Sequence, residues 1–99
     1  MKENTIVVTA RMKLKPEVVE DAKKEMAKLV KATCAETGCI SYELLQTGKE
    51  GTSFMILENW QSKEDLEKHS QSAHFKVWMD KSKDMMAEPA QVNIWKKVL

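Results

Sequence analysis

Four stretches of the chain alternate apolar and polar residues, and this pattern limits the fold more than any other feature. Successive side chains of a β-strand point to opposite faces of a sheet, so sustained alternation predicts a strand. The run Phe54, Ile56, Glu58 and Trp60 is a clear example. Strands are predicted over about 5–14, 39–47, 53–60 and 91–98.

Apolar residues at helical spacing separate these strands. Pro16 suits the first turn of a helix, and the acidic residues that follow it favour a helix N-terminus. Gly38 is expected to stop this helix. Ser62 and Asp65 have the spacing of a capping box ahead of a second helix. Helices are therefore predicted over about 16–36, 63–70 and 73–87, the last of them ended by Pro89.

The order of these elements predicts one α+β domain over residues 1–99 with the ferredoxin-like βαββαβ arrangement. Such a domain has a four-stranded antiparallel sheet with helices on one face. The other face is too apolar to be left bare, and a second copy packed sheet to sheet would cover it. We therefore predict a homodimer through this open sheet face, whose apolar residues are Val7, Cys39, Leu45, Met55, Leu57, Trp95 and Leu99.

The charge pattern argues against nucleic-acid and membrane partners. The net charge is +1, and Arg11 is the only arginine among 16 basic residues, whereas recognition of phosphates and bases favours arginine. No apolar stretch approaches the roughly 20 residues of a membrane helix, and the polar start is unlike a signal peptide. We expect a cytoplasmic protein in which Cys34 and Cys39 form neither a disulfide nor a metal site.

The stretch from Phe54 to Phe75 holds the residues best suited to proton transfer. It joins Glu58 and Trp60 of one strand to His69 and His74, the only two histidines of the chain. His69 is either a general base near neutral pH or a structural residue bonded to Glu58. Glu58 faces the core, where a carboxylate needs partners, and we expect His69 or the amides at the start of the next helix to supply them.

Other residues are candidates for a substrate cavity. Trp60 is expected to form a wall and to steady an oxyanion through its indole N–H, or to be a core aromatic. Tyr42 offers a hydroxyl to a substrate, or fills the core. His74 lies at the cavity mouth or on the surface. A stripe at helical spacing is expected to line the cavity or to form plain core, and it consists of Phe75, Trp78, Met79 and Met85.

The chain carries three short motifs, Gly38-Cys39-x-x-Tyr42, Glu58-x-Trp60-x-Ser62 and Leu66-x-x-His69-x-x-x-Ala73-His74-Phe75. At these spacings, and with this element order, the chain resembles the antibiotic biosynthesis monooxygenase domain family, above all its bacterial quinol monooxygenases. The resemblance implies a dimeric α+β barrel. It also implies catalysis by His69, Glu58 and Trp60 on a small aromatic substrate and O2, with no metal and no cofactor.

Other branches of that family fit the residues less well. Haem degradation would need a histidine near Met79 and an asparagine near Ala10. Isomerases of a phosphorylated signalling molecule usually have tyrosine at Trp60, and Arg11 is predicted to face away from the cavity. We expect oxidation of a small quinol or polycyclic phenol by O2, with His69 as the base. A non-catalytic dimeric small-molecule-binding or stress-related module, or an isomerase of the same fold, remains the alternative.

Overall fold

A computed structural model describes residues 5–99. The strands are β1 Ile6–Lys13, β2 Cys39–Thr47, β3 Ser53–Trp60 and β4 Gln91–Lys96. A 3₁₀ turn at Pro16–Val18 leads into α1 Val19–Cys34, and α2 Lys63–Ser70 and α3 Ala73–Ser82 follow β3. The sheet order is β2-β3-β1-β4 with every neighbouring pair antiparallel, which confirms the ferredoxin-like α+β fold.

The core lies between one face of the sheet and the helices. The alternating residues of β3 that face the helices are all buried, as the pattern predicts. The buried residues of α1 lie on one side of that helix, because residues three or four apart share a side. They complete the core and are Ala22, Met26, Leu29 and Thr33.

Two helices end earlier than their sequence pattern predicts. α1 stops at Cys34 rather than near residue 36. α3 stops at Ser82 rather than near residue 87, because the backbone beyond it pairs with the end of β1. The Lys15 N–H donates to the Met85 carbonyl (2.9 Å), and the Ala87 N–H donates to the Lys13 carbonyl (2.8 Å). These bonds replace the ones that a longer helix would have made.

A β-bulge at the start of β2 corrects one predicted face. Cys39 lies opposite Trp60 and Ser41 lies opposite Asn59, so Ile40 is an extra residue in the ladder. Ile40 is therefore 52% exposed, whereas Cys39 packs against the core. The prediction that Cys39 lies on the open face is wrong, because alternation alone does not reveal a bulge. Burial raises the pKa of the Cys39 thiol to about 11.

The sheet face away from the helices is partly apolar at its surface. Leu45 is 42% exposed and Trp95 is 51% exposed, although the Trp95 indole N–H donates to Thr9 Oγ1 (2.9 Å). A second copy on this face remains a prediction. Among residues 5–99, no helix is both long and apolar enough to cross a membrane, and the cytoplasmic location also remains a prediction.

Candidate active site

A cavity of about 530 Å³ opens between the helix side of the sheet and helices α2 and α3. Most of its wall is apolar, and Val92 and Ile94 of β4 line one side. Glu58, His69 and Tyr42 bring titratable groups to this wall. Arg11, as predicted, does not line it and borders a separate groove. The cavity can thus hold an apolar molecule with polar atoms directed at a few groups.

His69 is buried beside this cavity within a group of aromatic rings. Its ring centroid lies 4.9 Å from those of Trp60 and Phe75, and 5.4 Å from that of Tyr42. Its Nδ1 lies 2.7 Å from Glu36 Oε2. Burial lowers the pKa of His69, although its bond to Glu36 acts in the opposite direction. The ring is therefore neutral at pH 7.

The two ring nitrogens of His69 have different surroundings. A carboxylate oxygen accepts hydrogen bonds, so the Nδ1 facing Glu36 carries the ring proton. Nε2 then holds a lone pair. Nε2 is buried and makes no hydrogen bond within residues 5–99. In this geometry a carboxylate orients the imidazole, and Nε2 can accept a proton as a general base.

Glu36 reaches His69 from the turn between α1 and β2. Gly38 in the same turn has a φ of +87°, which suits glycine, and a side chain there would overlap the Asp65 carboxylate. The Gln61 N–H donates to the Gly38 carbonyl (2.9 Å). This close contact holds the turn against the start of α2. Sequence analysis missed Glu36, because its partners lie more than 30 residues further along the chain.

Glu58 is paired with Trp60 instead of His69. The indole N–H of Trp60 donates to Glu58 Oε1 (2.8 Å), since the two residues share one face of β3. The predicted bonds from Glu58 to His69 or to the amides of α2 are therefore wrong. Burial raises the pKa of Glu58 to about 7, and the indole bond opposes that rise. A carboxyl group in this state can give or take a proton near neutral pH.

The other predicted site residues divide into two sets. Tyr42, Phe75, Trp78 and Met79 line the cavity with Glu58 and His69. Met85, which was also predicted to line it, packs against the core instead. Trp60 and His74 do not line the cavity. The Trp60 N–H is engaged by Glu58, so its predicted role as an oxyanion donor is not met in this arrangement. His74 is half-buried, and its Nε2 lies 2.6 Å from Glu36 Oε2. Burial raises the pKa of the Tyr42 hydroxyl, which keeps that group neutral.

Glu36, His69 and His74 are also a donor set that metals use. Their ligand atoms all lie within 4.8 Å of one another, and two imidazoles with a carboxylate suit zinc or iron. However, the nitrogen-to-oxygen separations are 2.6 and 2.7 Å. Two ligands of one tetrahedral zinc ion would stand about 3.3 Å apart. We therefore interpret these three residues as a hydrogen-bonded triad.

Sequence comparison agrees with the fold. The sequence profile of the family described as antibiotic biosynthesis monooxygenase matches residues 5–81. The chain belongs to the antibiotic biosynthesis monooxygenase family. The matched range includes Glu36, Glu58, His69 and His74, so the residues of the candidate site lie within the family domain.

Two curated relatives match most of this chain. The protein sll1783 of Synechocystis, named as uncharacterized, is 32% identical over 95% of this chain, which spans 64% of that protein. YcnE of Bacillus subtilis, provisionally named as a monooxygenase, is 33% identical over 88% of this chain and 92% of its own length.

The structural matches extend over nearly the whole chain. A conserved protein from Methanosarcina mazei has a TM-score of 0.92 at 28% identity, with 97% of this chain and 95% of that one covered. A structure from Nitrosomonas europaea, provisionally named in this family, has a TM-score of 0.91 at 23% identity, with 99% and 94% covered. At such identities the likeness establishes the fold, and the substrate has to be argued from the site.

Proposed function

We propose that this member of the antibiotic biosynthesis monooxygenase family oxidises a small quinol or polycyclic phenol with O2, without a cofactor, and that His69 is the base. One observation carries the proposal. His69 Nε2 is buried and unpartnered within residues 5–99, next to an apolar cavity, while Nδ1 is fixed on Glu36. A free lone pair buried beside an apolar cavity is suited to removing a proton from a hydroxyl group that is bound against it.

The first step is the transfer of a phenolic proton to His69 Nε2. The phenolate is electron-rich and passes electrons to O2, and a carbon–oxygen bond then forms to give a hydroperoxide. Breakage of its O–O bond leaves one oxygen on the ring, and the other departs as water. For a quinol the balance is quinol plus O2 to hydroxyquinone plus water. The apolar wall keeps bulk water away from the anion.

Glu58 supplies the second proton-transfer group of this proposal. Its pKa of about 7 means that much of it is protonated at neutral pH. A protonated carboxyl group can donate to the oxygen that leaves as water, and it can bind a substrate oxygen before that. Trp60 acts through Glu58, because its indole bond fixes the direction of the carboxyl group. Trp60 is therefore a positioning residue in this mechanism.

The cavity wall selects for a flat apolar molecule. Tyr42, Phe75 and Trp78 offer aromatic surfaces, and Met79 offers a flexible thioether. A volume of about 530 Å³ suits a ligand of drug-like size. We propose that these residues contact the ring system of the substrate while His69 and Glu58 face its oxygens.

We also propose that the protein is a homodimer through the open sheet face, which would make the dimeric barrel of the family. The support is the apolar surface formed there by side chains such as Leu45 and Trp95. Apolar surface of this kind is stabilised when it is removed from water. Sedimentation of the protein at micromolar concentration tests the assembly separately from its chemistry.

The function is tested by O2 uptake with metal-free protein on a panel of quinols and anthrones. The expected result is uptake above the uncatalysed rate, lowered at least about 100-fold by His69→Gln. Lys76→Gln is the matched control. Lys76 is exposed on α3 and does not line the cavity, so this substitution removes a charge without changing the cavity wall. No uptake with any member of the panel, or equal uptake by His69→Gln, would refute the proposal.

A second candidate is a non-catalytic binding module. It is favoured by the position of Glu36, whose carboxylate ties the α1–β2 turn to both α2 and α3 through the two histidines. In that case the aromatic panel would bind without turnover, and His69→Gln would lower thermal stability instead of a rate. Product formed without O2 would indicate isomerase chemistry instead.

A further inference from the structure

One oxygen atom of Glu36 accepts hydrogen bonds from both histidines. His69 Nδ1 lies 2.7 Å from Glu36 Oε2, and His74 Nε2 lies 2.6 Å from the same atom. The two ring centroids are 5.9 Å apart. The His69 side chain is 2% exposed, whereas that of His74 is 27% exposed. A buried ring and a ring that reaches solvent therefore share one carboxylate oxygen.

We propose that His74 is a positioning residue that sets the strength of His69 as a base. A positive charge on His74 interacts with the carboxylate of Glu36. That carboxylate then stabilises a second positive charge on His69 less strongly, which lowers the pKa of His69. The inference rests on the proposed function in treating His69 as the base. The coupling between the two rings belongs to the resting protein and requires no substrate.

Electrostatics gives this coupling its sign. When His69 Nε2 takes a proton, the ring becomes a cation in a largely apolar site, and Glu36 is the anion in contact with it. If His74 is already a cation, the same anion is shared and two like charges face each other across 5.9 Å. The His74 side chain is partly open to solvent, whereas that of His69 is not. The buried base is thus linked to solvent through the carboxylate that it shares with His74.

Titratable groups lie near His69 on several elements. Glu36 in the α1–β2 turn, Tyr42 on β2 and His74 on α3 contact it directly. Glu58 on β3, Glu67 on α2 and Lys83 after α3 line the same cavity. Tyr42 stays neutral, because burial raises the pKa of its hydroxyl. Burial raises the pKa of Glu58 to about 7, close to the range in which the histidines are followed. The experiment therefore has to be repeated in a Glu58→Gln background to separate its effect from that of His74.

The test is an NMR titration of the imidazole Cε1–H signals in untagged protein. The chain has only two histidines, so His74→Gln leaves one signal and assigns both. Glutamine keeps an N–H donor for Glu36 and removes the charge. The expected result is a rise of about one pKa unit for His69 in His74→Gln. The same rise is expected in the Glu58→Gln background.

Two controls make the result decisive. Lys76→Gln removes an exposed charge on α3. It should change the pKa of His69 by less than about 0.3 unit, because solvent screens the charge of Lys76. The wild-type protein should show an inflection in each histidine curve at the midpoint of the other, as coupled sites do. This second measurement stands even if His74→Gln fails to fold.

An unchanged His69 titration in folded His74→Gln protein would overturn the inference, and so would two independent single-site curves in the wild type. The outcome is separable from that of the O2 assay. Coupling without O2 uptake would refute the proposed function alone, and uptake without coupling would refute this inference alone. In active protein, His74→Gln should move the acid limb of the kcat/KM profile to higher pH by about one unit.

Discussion

Replacing Glu58 by glutamine should change how the stability of the protein depends on pH. Glu58 is only 6% exposed and lies against the cavity, where its charged form has lost most of its contact with water. Burial raises its pKa from the ordinary value of 4.5 to about 7. Glutamine has nearly the same shape, can still accept from the Trp60 indole, and never ionises.

The sign and size of the effect follow from linkage. Between pH 4.5 and about 7 the folded protein holds a proton that the unfolded chain has lost, so this group makes stability fall as the pH rises. A pKa difference of about 2.5 units corresponds to about 3 kcal/mol in total. About 2.5 kcal/mol of this falls between pH 5 and pH 8, because the unfolded carboxyl group is already partly ionised at pH 5.

Urea unfolding at pH 5 and pH 8, at one protein concentration, measures the effect. On going from pH 5 to pH 8, the free energy of unfolding of Glu58→Gln should rise by about 2.5 kcal/mol relative to that of the wild type. His69 acts with the opposite sign, because burial lowers its pKa, but it is present in both proteins and cancels in the difference. Glu50→Gln, in the exposed turn after β2, is the matched control and should show no such gain.

A stability difference between Glu58→Gln and the wild type that stays constant with pH, within about 0.5 kcal/mol, would contradict this reasoning. It would mean that the Glu58 carboxylate keeps its hydration in the folded protein. The cavity would then be wet at this point, and Glu58 would not serve as a proton donor at neutral pH.

Further substitutions test the elements around the site. Gly38→Ala should destabilise the protein by at least about 2 kcal/mol in urea unfolding, because φ is +87° there and a side chain would overlap Asp65; equal stability would contradict the described turn. Ser62→Ala should cost about 1 kcal/mol by the same measurement, since Ser62 Oγ accepts from the Asp65 N–H (3.2 Å) at the start of α2, and an unchanged midpoint would count against the cap. Leu45→Asp should shift sedimentation towards the monomer, and an unaltered dimer would place the interface elsewhere.

The sequence predicted the elements whose signals are local. The alternation of β3 reflects burial of every second side chain, and the cap at Ser62 involves a residue only three positions away. The third helix was predicted too long because its end is decided by bonds from Met85 and Ala87 to the distant strand β1. The pattern of residues within a segment does not show which distant residues its backbone will bond to.

The candidate site was only partly predictable for the same reason. His69 and Glu58 could be named, because a strand and the following helix bring them to the same layer. The partner of His69 could not, since Glu36 lies in the α1–β2 turn, which is held beside α2 by contacts of Gly38 with distant residues. The bulge at Ile40 likewise depends on pairing between strands.

Binding of a phenol in the absence of O2 tests directly whether His69 Nε2 removes its proton. A quinol or anthrone whose ionised form absorbs at longer wavelength is titrated into metal-free protein without O2. The wild type should produce the phenolate spectrum at pH 7, and His69→Gln should bind the same molecule in its neutral form. Equal ionisation by both proteins, or a neutral ligand in the wild type, would refute proton removal by His69.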